Sequence, residues 1–285
     1  MVDLDALWDF SDPATSEGRF REAVDRAESA SEALIIRTQI ARALGLQRRF
    51  DEAHAELDEV ERGVGGSRDE ARGRLALERG RVHNSSGRSE ASIPCFTEAM
   101  DLASASGLDA LAVDAAHMLG IAEPDDAGEP WTRRAIEMAE ASIDPKARRW
   151  RGSLLNNLGW ARFEAGDATE ALRCFEAALD ARIEAGAPEP IRIARWCVAR
   201  AQRELGRADE ALKALRDLER EYAEIGEPSG YAHEELGECL LQLGSGPEAS
   251  EHFRVAYREL SCDAWLVERE PERLERLKRL GESTG

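Results

Sequence analysis

The chain has 285 residues, 42% of them hydrophobic, with a formal net charge of −19 and a pI near 4.8. With 23 glycines and 10 prolines it is near the globular average, which excludes collagen-like and low-complexity chains. The acidity argues against a chain that wraps as a whole around a nucleic-acid backbone or an anionic membrane, and it makes any local basic patch informative. No charge-free apolar run approaches the roughly 18–20 residues that a bilayer span needs. The opening MVDLDALWDF lacks the basic region and apolar core of a signal peptide. The five cysteines (Cys95, Cys174, Cys197, Cys239 and Cys262) form no CxxC pair, so reduced thiols and a cytoplasmic setting are expected.

Taken in order, EGRFREAVDRA (17–27) reads as a lone or shortened helix that begins the chain's regular part. IARALGLQRRFDEAHAEL follows as a helical hairpin with Ala41 and Ala53, and the glycines from Gly63 to Gly66 turn into the next unit. LERGRVHNSSGRSEASIPCFTEAM is a clearer hairpin, with Gly80, a turn at Gly87, then Phe96 and Ala99. HMLGIAEP carries Gly120 and opens the irregular unit, in which Pro124 should end the first helix early and Pro130 suits the start of the second. LLNNLGWARFEAGDATEALRCFEAAL has Gly159, Ala171 and Phe175. GAPEP (186–190) is an inter-repeat turn. VARAQRELGRADEALKALRDL has Ala199, Gly206, Ala211 and Leu215, and LGECLLQLGSGPEASEHFRVA has Gly237, Gly244, Ala249 and Phe253. DAWLVEREPERLERLKRL (263–280) is a terminal helix restarted by Pro271. Trp265 and its leucines either cover the last repeat or form a homodimer contact, so the oligomeric state stays open.

The small residues of the first helices fall at 41, 80, 120, 159, 199 and 237, a step of 38 to 40 residues. Small residues at these points let two helices approach and cross. The pattern resembles the tetratricopeptide repeat: Leu158-Gly159 with Ala171 and Phe175, and Leu236-Gly237 with Ala249 and Phe253, match its signature. The aromatic that follows the glycine in that family is replaced by Arg162 and Leu240. The long step resembles the variants in kinesin light chains and in Rap-type and MalT-type regulators. The resemblance implies an all-α superhelix, a solenoid of about six hairpin repeats. A single domain over 1–285 is expected, with an N-terminal cap over 1–30, repeats over 31–260 and a capping helix over 261–285.

In such a solenoid the first helix of each unit lines the groove. On the helix that holds the two asparagines, Leu155, Leu158, Gly159 and Arg162 form the stripe that faces the second helix, leaving Ser153, Asn156, Asn157, Trp160 and Phe163 on the inward face. Shifting by one repeat places Trp196 beside Asn156, Arg200 beside Trp160 and Arg203 beside Phe163, and a further shift adds Glu234 and Glu238. Shifting back gives His117 and Ile121, then Leu77, Arg81 and Asn84, then Thr38 and Arg42. Arg200 beside Trp160 suits a cation–π pair. Residues 145–163 carry five Lys/Arg and no acid, and 190–203 carry four Arg and no acid. A basic, aromatic, amide-bearing floor in an acidic protein points to a groove for an extended, acidic peptide or C-terminal tail. Asn156 and Asn157 would hold its backbone, Arg81, Arg200 and Arg203 its carboxylates, and Trp160, Phe163 and Trp196 its apolar side chains. The competing reading pairs the same arginines with glutamates on neighbouring helices.

No phosphate-binding loop, GxGxxG, HExxH or GxSxG occurs, and the histidines stand at no metal spacing, so no catalytic residue, metal or cofactor is expected. The alternative function is a regulatory sensor that binds a small anion or signalling peptide in the same groove. Single-stranded RNA stacked on Trp160 and Trp196 is disfavoured by the −19 charge.

Overall fold

A computed structural model describes residues 2–65, 70–123 and 125–283. Pro124, expected to end a helix early, lies outside the described residues. Those residues form helices and no strand. The short α1 (Leu4–Leu7) precedes α2 (Pro13–Val24). Three hairpins follow: α3 (Ala30–Leu46) with α4 (Phe50–Val64), α5 (Glu70–Ser85) with α6 (Ser89–Ala105), and α7 (Asp109–Ala122) with α8 (Glu129–Ala141). The short α9 (Pro145–Arg148) leads into α10 (Arg151–Glu164), which pairs with α11 (Ala168–Ala185). The remaining hairpins are α12 (Pro188–Glu204) with α13 (Ala208–Ile225) and α14 (Gly230–Gln242) with α15 (Gly246–Leu260). Helices α16 (Ala264–Arg269) and α17 (Pro271–Glu282) complete the chain. Contacts divide the chain into two compact units, Met1–Leu154 and Leu155–Gly285, described separately below.

Five of the six hairpins are closed by a small residue on the first helix set against a large one sixteen positions later. A Cβ placed on Gly159 would lie 2.5 Å from the ring of Phe175, and Gly80 against Phe96 and Gly237 against Phe253 are equally tight. All three phenylalanines are fully buried. Where the first helix carries alanine instead, the partner shrinks. Ala41 shares a core with Leu57, and Ala199 with Leu215. The summed volume at the crossing is thereby kept, as close packing requires. The α7–α8 hairpin departs: Gly120 lies against Thr132 and the carbonyl of Gly128, so backbone rather than an aromatic ring fills the gap.

Seven residues after the small residue, the hairpin turns through a left-handed position, occupied by Gly87, Gly166, Gly206 and Gly244. The residue that follows donates back to the last turn of the helix, as Asp167 N does to Arg162 O at 2.9 Å, closing a Schellman-type cap. In α3–α4 the same slot holds Arg48, with φ of 62°, a conformation in which a side chain is strained.

In the first unit, α2 packs on α3 and buries Phe20 in the first core. In the second, Pro271 starts α17 as expected, and Leu266, Leu274 and Leu277 pack on α15. Trp265, expected to share in this cover, is 59% exposed. Capping Asp263 through its side chain orients the first turn of α16 so that Leu266 points inward instead.

Two stability measurements test this packing. Gly159→Ala and Phe175→Leu should each destabilise the chain by about 1–2 kcal/mol in urea denaturation. Together they should cost less than the sum by about 1 kcal/mol, because Ala–Leu is the pair that other repeats use. Strict additivity would show that the two sites do not share a volume. Arg48→Gly should raise stability by roughly 0.5–1 kcal/mol by relieving the left-handed strain.

Candidate functional site

The sixteen-residue pairing turns one stripe of α12 away from its own hairpin. Ile193, Trp196, Arg200 and Arg203 follow at intervals of three and four along that stripe. Around Arg200 three rings converge: its guanidinium carbon lies 5.7 Å from the Trp160 centroid, 5.5 Å from Phe163 and 5.6 Å from Trp196. Trp160 and Trp196 lie 5.7 Å apart, and the Trp196 indole N–H donates to the Tyr231 carbonyl at 3.1 Å. This aromatic cage fixes the arginine and leaves its planar fork facing one direction.

That direction is set by Glu235 on α14, whose side chain is 1% exposed. Arg200 donates to one of its oxygens and Arg203 to the other, each at 2.7 Å. Both oxygens of this buried carboxylate are thereby paired, as burial of a polar group requires. Beside it, Glu234 accepts two bonds from Arg273 of α17, at 2.9 and 2.6 Å, while Arg273 also reaches Glu270. Arg276 pairs with Glu238. These side chains line a groove of about 390 Å³ in which four arginines meet five glutamates, so its floor is charged but not basic overall. Arg200 keeps donors beyond those given to Glu235, and its buried Nε has no hydrogen-bond partner.

Along the same stripe, Ile193 and Trp196 join Leu218, Tyr222, Pro228 and Tyr231 around a second, mostly apolar cleft of about 390 Å³. Arg273 stands 5.4 Å over the Tyr231 ring, between the charged groove and this cleft. The two recesses therefore adjoin, one lined by ion pairs and the other by apolar rings.

Of the residues singled out from the sequence, Asn156, Asn157, Trp160, Phe163, Trp196, Arg200 and Arg203 lie in this unit. Asn156 is half-buried, and its side-chain oxygen accepts from the Cys197 thiol at 3.5 Å; Asn157 is exposed. Arg81, His117 and Ser153 belong to the other unit. There Arg81 is held between Glu78, at 2.6 Å, and Asp114, while His117 packs 5.3 Å from Trp150. Burial pushes the His117 imidazole below its ordinary pKa, against the pull of Asp114, and so favours its neutral form. Ser153 is half-buried at the start of α10.

The first unit repeats the arginine–aromatic theme in another form. Residues 2–10 lie against α2 and α3: Val2 N donates to Glu32 at 2.6 Å, and the Trp8 indole donates to Gln39 at 3.2 Å. Trp8 and Phe10 stack at 4.7 Å, with the Arg42 guanidinium 5.3 Å from each ring. Asp5 bonds Lys146 at 2.8 Å, and that ammonium holds the Asp5 carboxyl below the usual carboxylate range. A short acidic and aromatic stretch is thus seated by arginine, lysine and an amide.

Sequence reasoning passed over Glu235, Arg273, Arg276 and the apolar cleft. Arg273 stands 39 residues after Glu234, one repeat step, so carrying the period onto the terminal helix would have found it. It also paired no histidines, whereas the fold brings His233 Nδ1 within 2.9 Å of His252 Nδ1. These two stand nineteen residues apart on different helices, a spacing no local metal motif contains. Burial pushes the Cys197 and Cys239 thiols up to about 12, which removes them as nucleophiles near neutral pH.

Residues 156–224 and 198–261 match the tetratricopeptide repeat family. No curated protein sequence matches the chain. Among solved structures, the chain is similar to a signal-transduction ATPase with numerous domains and a tetratricopeptide repeat sensor from Pyrococcus horikoshii. The TM-score is 0.74 at 13% identity over 93% of this chain, but the match spans only 41% of that longer protein. It is also similar to BtubC (BKLC) from P. vanneervenii, with a TM-score of 0.60 at 14% identity over 79% of this chain and 93% of that one. Aspartyl phosphate phosphatase F from Bacillus subtilis aligns over 95% of this chain and 77% of its own, with a TM-score of 0.60 at 14% identity. At these identities the likeness is one of fold. Residues 156–261 thus match the tetratricopeptide repeat in sequence, and the hairpins before them repeat the same helix–turn–helix form.

Proposed function

We propose that the chain is a non-catalytic protein-interaction module whose second unit holds an extended peptide carrying a carboxylate next to an apolar side chain. The carrying observation is the caged Arg200, which three rings and Glu235 hold at the wall of the charged groove. A peptide carboxylate, from a side chain or a C-terminus, would add to the Arg200 and Arg203 forks rather than displace Glu235, whose oxygens stay paired. An apolar side chain would enter the cleft beside Trp196 and Tyr231, where aromatic burial supplies most of the affinity. Asn157, exposed on the helix before, is free to bond peptide backbone.

Two further features support the reading. Residues 2–10 are themselves acidic and aromatic, and the first unit seats them with contacts of the same chemistry. The balance of four arginines and five glutamates favours local recognition of one carboxylate over capture of a polyanion, which speaks for a protein partner and against nucleic acid. No helix among the described residues is long and apolar enough to cross a membrane. A cytoplasmic partner is part of the proposal.

Fluorescence anisotropy with labelled peptides tests this. Peptides pairing Asp or a free C-terminal carboxylate with a neighbouring Leu or Phe should bind, and affinity should fall as salt rises. Charge-reversed peptides should not bind. Arg200→Met keeps the packing in the cage and leaves Arg203 on Glu235, so helical circular dichroism should persist while affinity drops at least about tenfold, equal to about 1.4 kcal/mol. Equal, weak binding of acidic and basic peptides, or full affinity in the variant, would overturn the proposal.

A further inference from the structure

We infer that Glu219, His233 and His252 form a binding site for a divalent transition metal, with Zn2+ as its fitting occupant, that fastens α13, α14 and α15 together. The three residues come from three consecutive helices and are neighbours only because the last hairpin packs on the one before it. His233 and His252 present their Nδ1 atoms to each other at 2.9 Å, and one oxygen of Glu219 lies 3.6 Å from the first and 3.8 Å from the second. The equidistant point in the plane of these three atoms is about 2.0 Å from each, and an ion raised slightly out of that plane toward a fourth ligand lies about 2.1 Å from each. That is the length of a Zn–N or Zn–O bond, about 2.0–2.2 Å. Ligand atoms around a tetrahedral ion with such bonds stand about 3.3 Å apart, between the separations found here. Three protein ligands leave the fourth position to water.

The donor chemistry fits the same class of ion. Two imidazoles and one carboxylate suit Zn2+ and its first-row neighbours, whereas Ca2+ and Mg2+ require oxygen-rich shells. Both imidazoles are mostly buried, at 12% and 14% side-chain exposure, so their rings are already oriented, while Glu219 at 31% forms the open side. A second histidine pair makes an instructive contrast. The rings of His54 and His83 also lie close, 5.0 Å apart and tilted, but the Arg88 guanidinium lies 2.8 Å from His54 and would repel a cation. Among the described residues, Glu219, His233 and His252 are the group that combines close imidazoles with a carboxylate.

Co2+ titration of the metal-stripped full chain reads the site directly. One equivalent should give the intense visible absorption of four-coordinate Co2+, without a thiolate charge-transfer band, and one equivalent of Zn2+ should abolish it. Zn2+ should also slow amide hydrogen exchange in α13, α14 and α15 of the wild type more than elsewhere. His233→Gln and His252→Gln should each lose the spectrum, Glu219→Gln should weaken Zn2+ binding at least tenfold, and His54→Gln should behave as wild type. A weak, six-coordinate spectrum from scattered surface carboxylates, a spectrum unchanged in His252→Gln, or Zn2+ protection absent from these helices would overturn the assignment.

Discussion

The arrangement depends on one steric constraint: a residue with little or no side chain on the first helix of a hairpin, set in five of the six hairpins against a large residue sixteen positions on. Where Gly159 meets Phe175, the approach is too close for even a methyl group. This contact decides which stripe of the first helix is used up inside the hairpin and which stripe is left over. On α12 the leftover stripe carries Ile193, Trp196, Arg200 and Arg203. Moving the small residue by one position would rotate that stripe by about 100° and scatter the cage. The pairing of Gly with Phe and Ala with Leu keeps the crossing at nearly constant volume, so successive hairpins can stack at a regular step.

Regular stacking then brings charges together that are distant in sequence. Glu235 is buried, and its two oxygens are bonded by two arginines from the preceding first helix. Such a pair adds little net stability, because desolvation offsets much of the attraction, but removing one partner is costly, at about 3–5 kcal/mol. Its consequence here is positional. Arg200 is held among Trp160, Phe163 and Trp196 and forms part of the groove lining. An arginine held in this way loses little conformational freedom when a ligand arrives.

Architecture was legible in the sequence because it rests on a period. The small residues at 41, 80, 120, 159, 199 and 237 mark the first helices, and the turn glycines at 87, 166, 206 and 244 mark the hairpin ends. The neighbours of Trp160 follow from the same period, since one repeat step leads to α12. Charge balance was less legible. Residues 145–163 and 190–203 read as basic when counted along the chain, but the acids opposing Arg200 and Arg203 come from α14, and Arg273 comes from α17. Net charge over a window carries no information on the opposing helix. The same limit hid His233 and His252, whose proximity needs the crossing of two helices.

The central claim is that the leftover stripe of α12, with its caged arginine and adjoining apolar cleft, is where a partner peptide sits. The six tryptophans offer a direct readout, because each indole N–H gives a separate nuclear magnetic resonance signal. Titration with an acidic peptide bearing an apolar side chain should move the signals of Trp160 and Trp196, the latter most, since its N–H bonds Tyr231 at the edge of the cleft. Trp131 and Trp265 should stay in place. A bound peptide that shifts those two and leaves Trp160 and Trp196 unmoved would contradict the account.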